Sequence, residues 1–290
     1  MFDTFKNRLQ ITGKLTTITA LRISAGRSSE PIGSDLPVIK DALGNPLIPG
    51  SSFKGAMRSR LESFLRGIVG SDRKLVANPA NEEEWSITSQ EMKQLKENFD
   101  NDEALTAEII NETDLISHLF GSPWIASKFQ IRDLTVNPEY WFGQYQERDG
   151  VAIDRDTETA ADGKLYDFQV VPAGTVFDFK AIVENAESWE LGLLMIGLHQ
   201  FETEQIPLGG GRSRGLGVVK LEIDKMDWID VENDPEKLLT YLQELVSNHT
   251  TDHLPSYADG KQFKDIWTHD LITYLRENIA RHSTIVQPNS

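Results

Sequence analysis

Two stretches of this sequence carry residue types suited to holding phosphate. The first is PGSSFKG, Pro49–Gly55. Pro49-Gly50 turns the chain, and Ser51 or Ser52 can cap a helix whose free N–H groups and positive dipole end attract anions. Lys54 falls in the first turn, where the dipole disfavours a cation, so a nearby anion would relieve the conflict. The second stretch is GGGRSRGLG, Gly209–Gly217. Gly209, Gly210 and Gly211 allow close backbone approach and positive φ, and Arg212 and Arg214 can grip phosphates or stack on bases. An ordinary capped helix and a plain connecting loop remain open readings of the two stretches. The first lacks the spacing of a Walker loop. The second follows a helix and precedes a strand, the reverse of a dinucleotide-binding turn.

Asp35 sits between these arginines and the N-terminus, in a Gly-Ser loop. An Asx turn or a helix cap is the usual role for such an aspartate. The His249/His253 pair in HTTDH lacks the glutamate of a zinc-protease helix, and Pro255 ends its helix soon after.

The chain has 290 residues, no cysteine and a formal net charge of −16. Its length allows one large domain or two small ones. Without cysteine there is neither a disulfide framework nor a thiolate metal site. No apolar leader opens the sequence and no apolar run is long enough to span a bilayer, so a cytoplasmic protein with no membrane partner is expected. The overall acidity argues against nucleic acid, but its distribution does not. Residues 1–70 hold ten Lys/Arg against five Asp/Glu, whereas residues 71–115 hold four against twelve. A basic N-terminal part on an acidic body can mark a polyanion-facing surface.

The elements that must position these residues follow from hydrophobic periodicity. RLQITGKLTTIT alternates as a strand with one buried face. Phe53, Met57, Leu61, Phe64, Leu65 and Ile68 have helical spacing, which leaves Lys54, Arg58 and Arg60 off the core stripe. Residues 71–113 are acidic and read as an inserted excursion. Phe129–Val136 alternates as a strand, and 144–167 reads as a protruding hairpin. Phe168–Glu184 is the strongest strand pattern. Trp189–Phe201 is apolar all round and predicts a buried helix, and Leu216–Ile223 a last strand. The order is that of a ferredoxin-like split βαβ fold, α+β in class, with both helices on one face of an antiparallel sheet. The expected organisation is a domain over residues 1–224 and a helical C-terminal extension over 225–290.

IGSDLPVIKDALGNPLIPGSSFKGAMRSRLE (Ile32–Glu62) and PLGGGRSRGLGVV together resemble the RAMP superfamily. More narrowly they resemble the repeated backbone subunit of type III (Csm/Cmr-type) CRISPR effector complexes, and VAIDRDTETA (Val151–Ala160) is similar to that subunit's thumb hairpin. The resemblance implies an RNA-recognition-like fold that polymerises along a guide CRISPR RNA with other copies, RAMP paralogues and further subunits. It implies guide-phosphate contacts from Ser51, Ser52, Lys54 and Arg58, groove-lining roles for Gly209–Gly211, Arg212 and Arg214, and a thumb contact from Arg155. It also implies that Asp35 cuts single-stranded target RNA with Mg²⁺ or another divalent metal. A non-cleaving structural subunit and an enzyme for a small phosphorylated ligand are the alternatives.

Overall fold

The structure, a computed structural model, describes residues 4–24, 36–153, 160–231, 234–247 and 254–285. The first strand, β1 (Asn7–Thr17), turns Leu9, Ile11 and Leu15 inward on alternate positions. After the short β2 (Leu47–Ile48) comes α1 (Gly50–Val69), which buries Phe53, Met57, Leu61 and Leu65 at four-residue spacing. The acidic insertion forms α2 (Ser89–Asn98) and α3 (Asp102–Asn111). It is followed by α4 (Leu115–Phe120), β3 (Phe129–Ile131) and β4 (Leu134–Thr135). The hairpin is β5 (Gln146–Ile153) with β6 (Ala160–Val170). Then come β7 (Val176–Glu184), α5 (Ser188–Glu202) and β8 (Val219–Asp230). The chain closes with α6 (Pro235–Ser247), β9 (Ala258–Asp259) and α7 (Lys264–Ile285).

The main sheet has the order β3-β7-β1-β8-β9, with every pairing antiparallel. Its first four strands reproduce the expected split βαβ topology. Ile11 lies opposite Ala181 on one side and Met226 on the other, so one sheet face is continuously apolar. Both α1 and α5 pack on that face. The Phe53 ring of α1 stacks on Phe201 of α5 at 4.1 Å and meets Phe179 of β7 at 5.2 Å. A register shift at Thr12/Gly13 bends β1 against β8, and a Cβ at Gly13 would lie 2.2 Å from the Glu222 carbonyl.

Three expectations change. The single strand over Phe129–Val136 is two short strands, because Asp133 between them turns its carboxylate to the Gly50 N–H at 2.8 Å. The last strand does not stop at Ile223 but runs to Asp230, and β9 pairs with it at Asp227 and Trp228. A boundary after residue 224 therefore falls inside β8. Trp267, Leu271 and Leu275 of α7 join the same core as the sheet. Trp189 of α5 stacks on Tyr274 of α7 at 4.3 Å, and Gly192 lets the α7 backbone approach so closely that a Cβ would clash with the Trp267 carbonyl. The all-round apolarity of α5 thus reflects a helix enclosed by the sheet, α1 and α7.

The insertion is tied down locally. Thr88 and Glu91 form a capping box at the start of α2, Arg73 pairs with Glu91 at 2.5 Å, and Lys74 pairs with Glu112 at 2.6 Å. Hydrogen bonding to the Arg73 guanidinium holds the Glu91 carboxyl down at about 2.

Candidate nucleic-acid interface

Helical geometry decides which face of α1 is available. With 3.6 residues per turn, Ser51, Ser52, Gly55, Ser59 and Ser63 lie along one side, beside the buried Phe53–Leu65 stripe. Their small side chains leave a trough of about 520 Å³ whose far wall is the segment after α5, including Gly209 and Arg212. The helix entrance and the glycine–arginine turn therefore meet in one concavity. Arg60 lines it too, with its guanidinium 4.5 Å from the Phe64 ring. Ser59 and Arg60 lie downstream of the PGSSFKG turn, and the signal that marks them for this face is i, i+4 spacing along α1 from Ser51 and Ser52.

The turn itself needs glycine. Gly209 has φ +72 and Gly211 φ +78, and a Cβ on Gly209 would press on the Arg22 carbonyl. Arg212 opens a single 3₁₀ turn that ends at Arg214, and its Nε donates to the Gly209 carbonyl at 3.2 Å. Gly210 donates its N–H to the Arg22 carbonyl at 2.9 Å, and no atom lies within 4 Å of where its Cβ would be. Gly210, Gly211 and Arg214 are not among the residues that line the trough.

Lys54 and Arg58 are placed elsewhere. Lys54 lies two residues beyond Ser52, about 200° around the helix. Its Nζ donates to Ser127 Oγ at 2.5 Å and to the Phe129 carbonyl at 3.1 Å. Burial, with the Arg58 charge next to it, lowers the Lys54 amine to about 8. Arg58 pairs with Glu62 at 2.8 Å and donates to the Gly121 carbonyl and Ser117 Oγ, both at 3.0 Å. These two cations fasten α1 to the segment between α4 and β3 instead of facing the trough. The helix N-terminus is also partly occupied: Asp133 accepts from Gly50 N–H, and the Pro49 carbonyl accepts from Ser52 and Phe53. Anion binding in the trough therefore falls to hydroxyls and to Arg60 and Arg212.

Asp35 and Arg155 lie outside the described residues, as does the His249/His253 pair. Leu36, the chain neighbour of Asp35, bridges to Phe168 at the base of the hairpin, and its carbonyl accepts from Gln169 N–H at 3.1 Å. Among the described residues no three His, Asp or Glu side chains converge as a metal site. No described helix is long and apolar enough to cross a membrane.

This trough beside a split βαβ sheet lies within a longer match to known sequences. The model of the RAMP superfamily matches residues 14–220. The chain belongs to the RAMP superfamily. Within it, this RAMP chain is similar to the CRISPR system Cms endoribonuclease Csm3 of Enterococcus italicus, at 26% identity over 235 residues that cover 80% of this chain and 98% of the relative. Shorter segments are similar to the proteins of the same name from Mycobacterium tuberculosis, 46% over 56 residues, and Methanothermobacter thermautotrophicus, 47% over 60 residues. Those segments cover 19% and 20% of this chain, and 24% of each relative. The α+β fold with an antiparallel sheet is the architecture expected of a superfamily member.

Proposed function

We infer that the chain is a guide-RNA-binding backbone subunit of a type III CRISPR effector complex, and that it cuts guide-paired RNA through Asp35. The observation that carries this reading is the trough between the serine-lined face of α1 and the Gly209–Arg212 turn. Hydroxyls, a glycine backbone and two arginines suit a phosphodiester chain, and nothing in such a set reads base identity. Sequence would be selected by pairing between guide and target. The name of the Enterococcus relative, an endoribonuclease in a CRISPR system, supports the same assignment.

The reaction needs an internal nucleophile held in line. The 2′-oxygen of the target attacks the adjacent phosphorus, the P–O5′ bond breaks, and a 2′,3′-cyclic phosphate and a 5′-hydroxyl result. The Asp35 carboxylate would take the 2′ proton, and the departing 5′-oxygen gains one from solvent. The hairpin, which projects from strands paired from Gln146↔Val170 to Ile153↔Ala160, is suited to splaying a nucleotide into that alignment. The divalent metal implied by the resemblance belongs to this proposal, and chelation is expected to stop cutting.

The test is made on the complex purified from its native host. RNA of discrete length is expected to copurify. Asp35→Ala is expected to keep that RNA and to lose cleavage of a complementary strand. Retained cutting would transfer the reaction to another residue, and a wild-type complex that holds guide but does not cut would make the subunit purely structural. Binding of a mononucleotide by the isolated chain, with no RNA, would favour a small-ligand enzyme.

A further inference from the structure

Arg22 is a cation that the described protein leaves unpaired. It follows β1 and is half-buried. Its guanidinium lies 4.7 Å from the Phe168 ring, and its Nε is buried without a hydrogen-bond partner. Among the described residues no carboxylate pairs with it. Other arginines near the trough or behind it have acceptors: Arg60 has Gln200 Oε1, Arg58 has Glu62, Arg66 has Glu62 and the Ala77 carbonyl, and Arg212 has the Gly209 carbonyl. A guanidinium fixed on a ring but given no anion is arranged to receive one.

Its place in the fold says which anion. The Arg22 carbonyl accepts from Gly210 N–H, and Gly209, on the trough wall, packs directly on that carbonyl. On its other side, Phe168 bridges to Leu36 and shares a small apolar cluster with Ala20, Val170 and Leu216. Arg22 thus stands where the glycine turn, the base of the hairpin and Leu36 come together. We propose that Arg22 binds a phosphodiester of the RNA at this junction, with Phe168 holding the guanidinium plane in position. The proposal rests on the RNA-binding reading above and extends the trough beyond Arg212 to a further specific contact.

The experiment is a methylphosphonate scan on the purified full chain, first with a single RNA strand and then with that strand paired to its complement. Each RNA carries one neutral linkage, and the scan is made on both strands. With the wild type, one linkage is expected to weaken binding about tenfold, the loss of a charge-assisted contact. With Arg22→Ala, overall affinity falls by a similar factor and the penalty at that linkage disappears, which a residue of purely structural importance would not cause. Arg22→Lys restores part of it, and Arg22→Gln, which keeps the stem on Phe168, serves where the alanine variant does not fold. The strand on which the penalty appears tells whether the phosphate is the guide's or the target's. A wild type that binds RNA with no linkage whose penalty depends on Arg22 overturns the proposal and leaves the RNA-binding reading standing. A wild type that binds neither strand overturns both.

Discussion

Arg60 and Arg212 face the trough from opposite walls, while Lys54 and Arg58 are spent on internal hydrogen bonds. The two pairs should therefore respond differently to substitution. Arg60→Ala and Arg212→Ala are expected to weaken RNA binding about tenfold each and to reduce the salt dependence of binding, with melting temperature unchanged. Lys54→Ala should instead lower stability by about 1–2 kcal/mol, because the Ser127 and Phe129 acceptors lose their donor, with a smaller effect on affinity. Filter binding against salt and a thermal melt on each variant separate the two outcomes. Residue types alone marked Ser51, Ser52, Gly209 and Arg212, since hydroxyls at a helix start and glycines beside arginine have specific uses. They could not assign Lys54, whose direction depends on which flank of α1 the α4–β3 segment covers.

Beneath α4 a buried charge group links three segments. Lys128 makes a bidentate contact to Glu190 at 2.6 and 2.7 Å, and His118 Nδ1 lies 3.7 Å from the same carboxylate. Burial, and then the Lys128 charge, lowers His118 to about 4. Burial pushes the Glu190 carboxyl up from its ordinary value. For His118 the sign is that of a depressed group: its contribution is complete above its unfolded pKa of 6.5 and is lost as pH falls towards 4. Unfolding free energy is expected to drop by on the order of 2 kcal/mol over that interval, and His118→Gln should flatten the decline in urea titrations at each pH. Of the elements bearing this group, α5 was readable from its all-round apolar run. The continuation of β8 past Ile223 was not, because Asp224, Lys225 and Asp227 interrupt its apolar alternation while pairing with β1 and β9 sustains the strand.

Taken across the fold, α7 shares one core with the sheet, α1 and α5. Gly192 of α5 accepts the backbone of α7, and Gly197 accepts Met57 and Leu61 of α1, so a single helix is pressed on two sides. Ending the chain after residue 224 would cut β8 and bare the flank of α5 that Trp267, Leu271 and Leu275 cover. The expected result is aggregation or loss of the cooperative melt, read by size exclusion and circular dichroism. Trp267→Ala should show a milder form, about 3–5 kcal/mol. The tail's acidic composition and separate helical pattern suggested independence, since amphipathic periodicity shows that a helix buries a face but not against what.

The enclosure of α5 also sets an order of events during synthesis. Trp267–Leu275 is made after α5, β8 and α6, so the ribosome must translate all of these before that flank finds its cover. Until then the nascent chain presents a greasy helix to water, an exposed surface of the kind that chaperones shield.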